Sequence, residues 1–332
     1  MTTGPSRRLL LRASILGVPI LGVPAATRPA RAEEWPARPV TIVVGFPPGT
    51  ATDTVARLLA DRFSRALGQR FVVDNRSGQG GSIGAAHVAR AAPDGYTITV
   101  GASAPQGINP HIYANLGYDP RVDFAPIGQI VQLPYLLVAG QHTGFRSMRE
   151  LVERARAAPN TVTYATTGNG TTSQLLMAML AHSAGVRMVH VPYRGTAQSL
   201  TDIVAGRVDV TFDTLIGTYP FARDGRVTPL ALGTARRVDT VPDVPTTAEA
   251  GFPAVQGGAW LGLLGPAGLP APVVSRLAAE LSAVLAEDGF RRTIAEIGAV
   301  VDPAGPAEFA AILRRDYDRW GEIVRVTGTR AE

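Results

Sequence analysis

Val40-Thr41-Ile42-Val43-Val44-Gly45-Phe46 runs into Pro47-Pro48-Gly49-Thr50-Ala51-Thr52-Asp53 and then into a segment with Val55, Leu58, Leu59, Phe63 and Leu67. The first run is apolar and β-branched and ends at Pro and Gly, the pattern of a buried strand. The later residues recur at the three- and four-residue spacing of a helix with one buried face. The pattern predicts a strand over 40–46, a Pro-Gly turn and a helix over 52–67.

Outward from this junction the alternation continues. Strands are predicted over 71–74 and 96–101 and a helix over 82–91, which completes a β-α-β-α-β unit. After a long connection through 109–126 a second unit follows, with strand 162–165, helix 172–184, strand 188–191, helix 196–205 and strands 208–212 and 227–232. Strands alternating with helices argue for an α/β protein with mainly parallel sheets. Two such units imply two lobes with a cleft between them. The chain is expected to cross between lobes in 124–138 and 244–264. Helices over 272–285, 290–297 and 306–326 return to cover the first lobe, broken by Gly268-Leu269-Pro270 and Gly305-Pro306.

The amino end has a different character. Arg7, Arg8 and Arg12 precede an apolar, small-residue run over 13–26, followed by Ala30-Arg31-Ala32 and Glu33. This is the layout of a cleavable export signal, with cleavage expected after Ala32. The run is too short to cross roughly 30 Å of hydrocarbon and is broken by Pro19 and Pro24, which argues against a retained anchor. Ser6-Arg7-Arg8 faintly resembles a twin-arginine signal, so the export route stays open.

Removal of 1–32 changes the charge balance. The whole chain has a net charge of +5, but that segment holds five Arg and no acid, leaving 27 basic and 27 acidic side chains. The excess of positive charge therefore gives no support to nucleic-acid binding, which needs a basic stripe on the folded domain. Cys is absent, which excludes disulfides, thiolate metal sites and a thiol nucleophile. A mature chain of about 300 residues is long enough to build its core without them.

In open parallel sheets ligands sit beyond the carboxyl ends of strands, where following helices aim their N-termini. That rule selects three loops. The first holds Phe46, Gly49, Thr50, Ala51, Thr52 and Asp53, whose hydroxyls and unpaired backbone N–H groups suit an anion. Thr52 or Asp53 could equally serve only as a helix cap. The second contains Gly168, Asn169, Gly170, Thr171, Thr172 and Gln174, also between a strand and a helix. The third contains Tyr193, Arg194, Gly195 and Thr196; Arg is more often a surface ion-pair partner than a ligand group. Ser103 ends a strand and could donate to a ligand there.

Other signals are weaker. Gly78-Gln79-Gly80-Gly81-Ser82-Ile83-Gly84 has Ile83 where a dinucleotide fingerprint needs Gly, and reads as a tight strand-to-helix turn. The five His show no metal-binding spacing. Gly101-Ala102-Ser103-Ala104-Pro105 lacks the second Gly of a nucleophile elbow. No nucleophile, base and orienter stand at linked positions, so no enzyme activity, cofactor or metal is expected.

Several motifs together resemble one family. Trp35-Pro36, Arg38-Pro39-Val40, Phe46-Pro47-Pro48-Gly49, Asp74-Asn75-Arg76, Gly78 with Gly80-Gly81 and Ile83-Gly84, and Pro93-Asp94-Gly95-Tyr96 resemble the Bug receptors, the extracytoplasmic substrate-binding proteins of tripartite tricarboxylate transporters. Asn109-Pro110, Tyr118-Asp119-Pro120, His190-Val191-Pro192-Tyr193, Pro242-Asp243-Val244-Pro245-Thr246 and Pro266-Ala267-Gly268 extend the resemblance over essentially the whole mature chain.

The resemblance implies a type II periplasmic-binding fold with one lobe discontinuous in sequence: 36–135 plus 256–332 against 136–255. It implies a small organic carboxylate as ligand, whether a dicarboxylate or tricarboxylate, an acidic amino acid or an aromatic acid. The Phe46–Asp53 and Gly168–Gln174 loops would grip it from opposite lobes, and Asp213 matches an acidic position that often faces the cleft. A helix cap is the other reading of Asp213. The implied partners are the large and small membrane subunits of a transporter, with a sensor kinase as the alternative, and the implied state is a periplasmic monomer. Thr50 stands where the family usually has a second Gly, and Gln174 where it commonly has His. Ligand identity therefore does not transfer.

Overall fold

In a computed structural model the chain is described at residue 1 and residues 35–330. The expected export segment and its cleavage point lie outside the described residues. Strand β1 (Val40–Val44), helix α1 (Ala51–Leu67), β2 (Phe71–Asn75), α2 (Ser82–Ala89) and β3 (Thr97–Ala102) make the first unit. β1 pairs in parallel with both β2 and β3. Val40, Ile42, Val43 and Val44 are fully buried, as a parallel strand covered by helices on both faces requires. The α1 stripe of Val55, Leu59 and Phe63 is also fully buried, each side chain contributing roughly 1.5–3 kcal/mol.

The Gly-rich stretch after β2 is a tight turn. A Cβ on Gly45 would lie 2.5 Å from the Gly81 carbonyl oxygen, so the two backbones approach as closely as only glycine permits. After β3 come a single π-helical turn, Ala104–Ile108, and a 3-10 turn, Asn109–His111. The chain then runs through β4 (Phe124–Leu133), β5 (Tyr135–Gly140), α3 (Met148–Ala157), β6 (Thr163–Thr166), α4 (Thr172–Ala184), β7 (Val189–Pro192), α5 (Thr196–Val204), β8 (Val210–Thr214), α6 (Leu215–Arg223) and β9 (Val227–Leu232). It closes with β10 (Ala259–Pro266), α7 (Ala271–Ala286), α8 (Asp288–Glu296), β11 (Val300–Ala304) and α9 (Pro306–Thr327).

Two sheets result, in the orders β11-β4-β10-β3-β1-β2 and β7-β6-β8-β5-β9. The sequence expectation of mainly parallel sheets needs correction, because both are mixed. β10 is antiparallel to β3 and β4, β11 to β4, and β5 to β8 and β9. Parallel neighbours need a crossover connection, normally a helix. β4 and β5 instead meet directly at Pro134, and β10 arrives in the first sheet from β9 in the second, so no crossover helix fixes their direction.

Helix α3 was not read from the sequence, although its start carries a signal. The Ser147 hydroxyl accepts the Glu150 N–H at 3.2 Å, and the Glu150 carboxylate accepts the Arg146 N–H at 2.7 Å. This is a Ser-x-x-Glu capping arrangement.

One apolar core runs through both sheets, from Ile42 and Phe63 through Leu133 and Tyr135 to Leu137, Met177 and Phe212. Helix α9 adds a second tie: fully buried Trp320 packs with Ile108 and with Leu175 of α4. The last helix therefore touches elements of both sheets. Among the described residues no helix is long and apolar enough to cross a membrane.

Candidate functional site

Helices α1 and α4 open on turns of the same construction. In the first, the Thr50 hydroxyl accepts the Asp53 N–H at 3.4 Å and donates to the Pro47 carbonyl at 2.9 Å, while the Asp53 carboxylate accepts the Gly49 N–H at 2.9 Å. In the second, the Thr171 hydroxyl accepts the Gln174 N–H at 3.4 Å and donates to the Gly168 carbonyl at 2.7 Å, while Gln174 Oε1 accepts the Gly170 N–H at 2.9 Å. Each is a Gly-Thr-x-x-Asp or Gly-Thr-x-x-Gln ring that takes up the N–H groups at its two ends. The N–H groups in between, of Ala51 and Thr52 and of Thr172 and Ser173, find no hydrogen-bond partner among the described residues. They belong to first helical turns, where no preceding carbonyl is in reach.

Helix α5 starts at Gly195-Thr196 without a side-chain cap. The three helix starts converge on one cleft. Phe46, Thr50, Ala51 and Thr52 line it from the first turn, Thr167, Thr171 and Thr172 from the second, and Gly195 and Thr196 from the third. Ala102, Ser103 and Ala104 line it at the end of β3, and Asp213 and Thr214 at the end of β8. Leu133, Tyr135, Ala259 and Leu261 complete it from the strands that join the sheets. Its empty volume, mouth included, is about 580 Å³.

No Arg or His lines this cleft among the described residues. Positive potential comes instead from helix starts, each equivalent to roughly half a unit charge. With the unpaired N–H groups of Ala51, Thr52 and Thr172 belonging to lining residues, the arrangement suits a carboxylate. A larger hollow of about 880 Å³ lies against α9 near Phe124, Leu313 and Tyr317, but no helix start lines it. The donors, rather than the volume, pick out the site.

The two sheets' elements touch around the cleft. Ser103 Oγ and Thr172 Oγ1 stand 3.5 Å apart, and the Tyr113 hydroxyl donates to the Asn169 carbonyl at 3.1 Å. Gly170 has φ +75, and a Cβ there would lie 2.7 Å from Asn109 Oδ1 and 2.9 Å from the Tyr113 ring. Only glycine fits this contact.

Asp213 is 1% exposed. Its Oδ1 accepts the Thr214 N–H at 2.6 Å, while Oδ2 meets no donor in hydrogen-bonding geometry. Burial pushes the carboxyl up to about 6, against the opposing pull of the Thr214 amide and the nearby Thr196 and Thr214 hydroxyls. Burial also pushes the Tyr135 phenol up, and the Asp213 charge acts in the same direction.

Of the residues singled out in the sequence, Phe46, Thr50, Ala51, Thr52, Ser103, Thr171, Thr172, Gly195 and Asp213 line the cleft. Asp53 does not, because its carboxylate is taken up by Gly49, by Arg57 at 3.0 Å and by Asn75 at 2.9 Å. Burial alone would raise the Asp53 carboxyl, but the Arg57, Gly49 and Asn75 hydrogen bonds outweigh it and hold the group below the usual carboxylate range. Gln174, Asn169 and Gly170 likewise build the second turn and its contact with Tyr113 and Asn109 rather than the cleft wall.

Tyr193 turns away and donates to Asp202 at 2.7 Å. Gly49 and exposed Arg194 line an outer hollow that shares Thr50, Ala51, Gly195 and Thr196 with the cleft. The sequence reading missed Tyr135, Leu133, Ala259 and Leu261 as cleft residues. They sit on joining strands, and no local motif marks them. No group of three His, Asp or Glu among the described residues could hold a metal ion.

Two mixed sheets whose joining strands and helix starts enclose one cleft define a solute-binding receptor rather than an enzyme. The chain belongs to the tripartite tricarboxylate transporter family of receptors, whose family model matches residues 55–329. It is 35% identical over 314 residues to the UPF0065 protein in the tcbD-tcbE intergenic region of Pseudomonas sp. (strain P51), covering 94% of this chain and 93% of that one. Rpa4515 of R. palustris, solved with adipate, superposes with a TM-score of 0.86 at 35% identity over 90% of this chain and 99% of that one. MatC (Rpa3494) from Rhodopseudomonas palustris, solved with bound malate, does so with a TM-score of 0.82 at 34% identity over 87% and 100%.

Proposed function

We propose that this protein captures a small organic carboxylate in the cleft and presents it to the large and small membrane subunits of a tripartite transporter. The observation that carries the proposal is the set of unpaired N–H groups of Ala51, Thr52 and Thr172, at two helix starts that line one cleft without any basic side chain in the lining. The adipate of Rpa4515 and the malate of MatC support a dicarboxylate or a related acid as the ligand.

In this reading, residues 36–135 with 256–332 form one lobe and 136–255 the other. The Tyr113–Asn169 and Ser103–Thr172 contacts then belong to the closed state, which the ligand favours by touching both lobes. Receptors of this family are periplasmic. The Arg-rich, apolar amino end with its Ala30-Arg31-Ala32 site supports export of this chain to the same compartment.

Isothermal titration of the purified protein against dicarboxylates, tricarboxylates, acidic amino acids and aromatic acids tests the proposal. Saturable binding of at least one acid is expected, with thermal stabilisation of about 2.7 kcal/mol at a hundredfold excess over Kd. Absence of both heat and thermal shift across the panel would overturn it.

A further inference from the structure

We propose that Asp213 selects among carboxylates, and that the bound acid carries an ammonium or hydroxyl group that donates to Asp213 Oδ2. This rests on the carboxylate-receptor reading and adds the class of acid to it.

Asp213 does not cap the helix that follows it. It is the penultimate residue of β8, opposite Leu136 of β5. Helix α6 begins two residues later without a side-chain cap, and the Leu215 N–H is taken by the Pro134 carbonyl at 2.8 Å. The Thr214 N–H engages only Oδ1. Capping therefore leaves Oδ2 unexplained. Asp53, the other buried acid beside the cleft, provides the contrast, with Gly49, Arg57 and Asn75 all donating to its carboxylate.

The lining offers Asp213 no counter-charge. It contains no Arg or His among the described residues, and the chain has no Lys. The Thr196 and Thr214 hydroxyls are near the carboxyl but do not meet Oδ2 in hydrogen-bonding geometry, which leaves a costly buried acceptor that a donor in the cleft would complete. A bare dicarboxylate brings only acceptors. Held at the α1 and α4 starts, it would set two anions in one small cleft with no counter-charge in the lining. An acid bearing an ammonium or hydroxyl group places its carboxylate on the helix starts and its donor on Oδ2. Sites built to bond such a group discriminate strongly against analogues that lack it, because the protein group is then left unpaired.

Titration at pH 7.5 with matched skeletons tests this: succinate against malate and aspartate, and adipate against 2-aminoadipate. The wild-type protein is expected to bind one substituted acid at least tenfold more tightly than its unsubstituted partner. Asp213→Asn is expected to shrink that ratio below threefold without abolishing binding of the unsubstituted acid. Wild-type binding of succinate and adipate as tight as that of every substituted partner would overturn the inference while leaving the receptor reading intact. A ratio unchanged by Asp213→Asn would do the same. The wild-type ratios alone decide the matter if that variant does not fold. Binding of none of these five acids overturns the inference, whereas the receptor reading falls only if the wider panel also fails.

Discussion

Asp53 in α1 and Gln174 in α4 play the same part: each side chain accepts, at 2.9 Å, the N–H of the glycine four residues before it. One is charged and the other neutral, yet the ring each closes with its Thr cap is the same. The rings set the direction of the N–H groups lying between them. These two side chains thus position the donors proposed to meet a ligand, without lining the cleft themselves.

Asp53→Asn keeps the shape but removes the charge that Arg57, Gly49 and Asn75 hold. Because the folded-state value of Asp53 is depressed, its contribution to stability is present above the unfolded value and lost as pH falls through the folded one. A melting-temperature deficit for Asp53→Asn is expected at pH 7 and should shrink as pH is lowered below the usual carboxylate range. A deficit constant from pH 7 to pH 3 would contradict this.

Gln174→Ala leaves the buried Gly170 N–H without its acceptor, at a cost of about 1–3 kcal/mol. Gln174→Glu retains an acceptor oxygen in the same place. Carboxylate affinity is expected to fall roughly tenfold or more in Gln174→Ala and much less in Gln174→Glu at neutral pH, as read by titration calorimetry.

Tyr113→Phe removes the hydroxyl that reaches the Asn169 carbonyl. The hydrogen bond joins elements of the two sheets, so its loss should weaken closure, lowering affinity by about 2- to 10-fold. Gly170→Ala should be worse, since its φ of +75 is strained for other residues and the added Cβ collides with Asn109 and the Tyr113 ring. Small-angle scattering with saturating ligand should show no compaction for Gly170→Ala. Compaction equal to wild type would show that this contact is not part of the closed state.

Asp213 titrates the other way from Asp53. Its folded-state value of about 6 lies above the unfolded one, so ionising it destabilises the folded protein. The cost grows as pH rises from about 4 to about 6 and then levels off near roughly 3 kcal/mol. The melting temperature of Asp213→Asn minus that of wild type, without ligand, should rise from pH 4 to pH 7 and stay flat above. A difference independent of pH would mean that Asp213 is not buried unpaired.

The strand-turn-helix junctions were legible because their signal is local. Val40–Val44 and Ala51–Leu67 carry their period and their Pro-Gly break within a few turns of chain, as do Thr163–Thr166 and Thr172–Ala184. Helix starts after strands also marked out the loops, so Thr50–Thr52 and Thr171–Thr172 were legible as residues beside one cleft. The sequence could not show which way Tyr193 points, since that depends on Asp202 one helical face away.

By itself, then, the sequence determined two α/β units, their helix-start loops and the family they resemble, because residues within about fifteen positions decide periodicity and capping. Tertiary structure alone decided that β4, β5 and β10 run antiparallel to their neighbours and bring Leu133, Tyr135 and Ala259 into the cleft. It also decided that Asp53 is paired and Asp213 Oδ2 is not. Whether a buried polar atom finds a partner depends on residues far along the chain, Asn75 for one and no well-placed donor for the other, and folding is what brings such residues together.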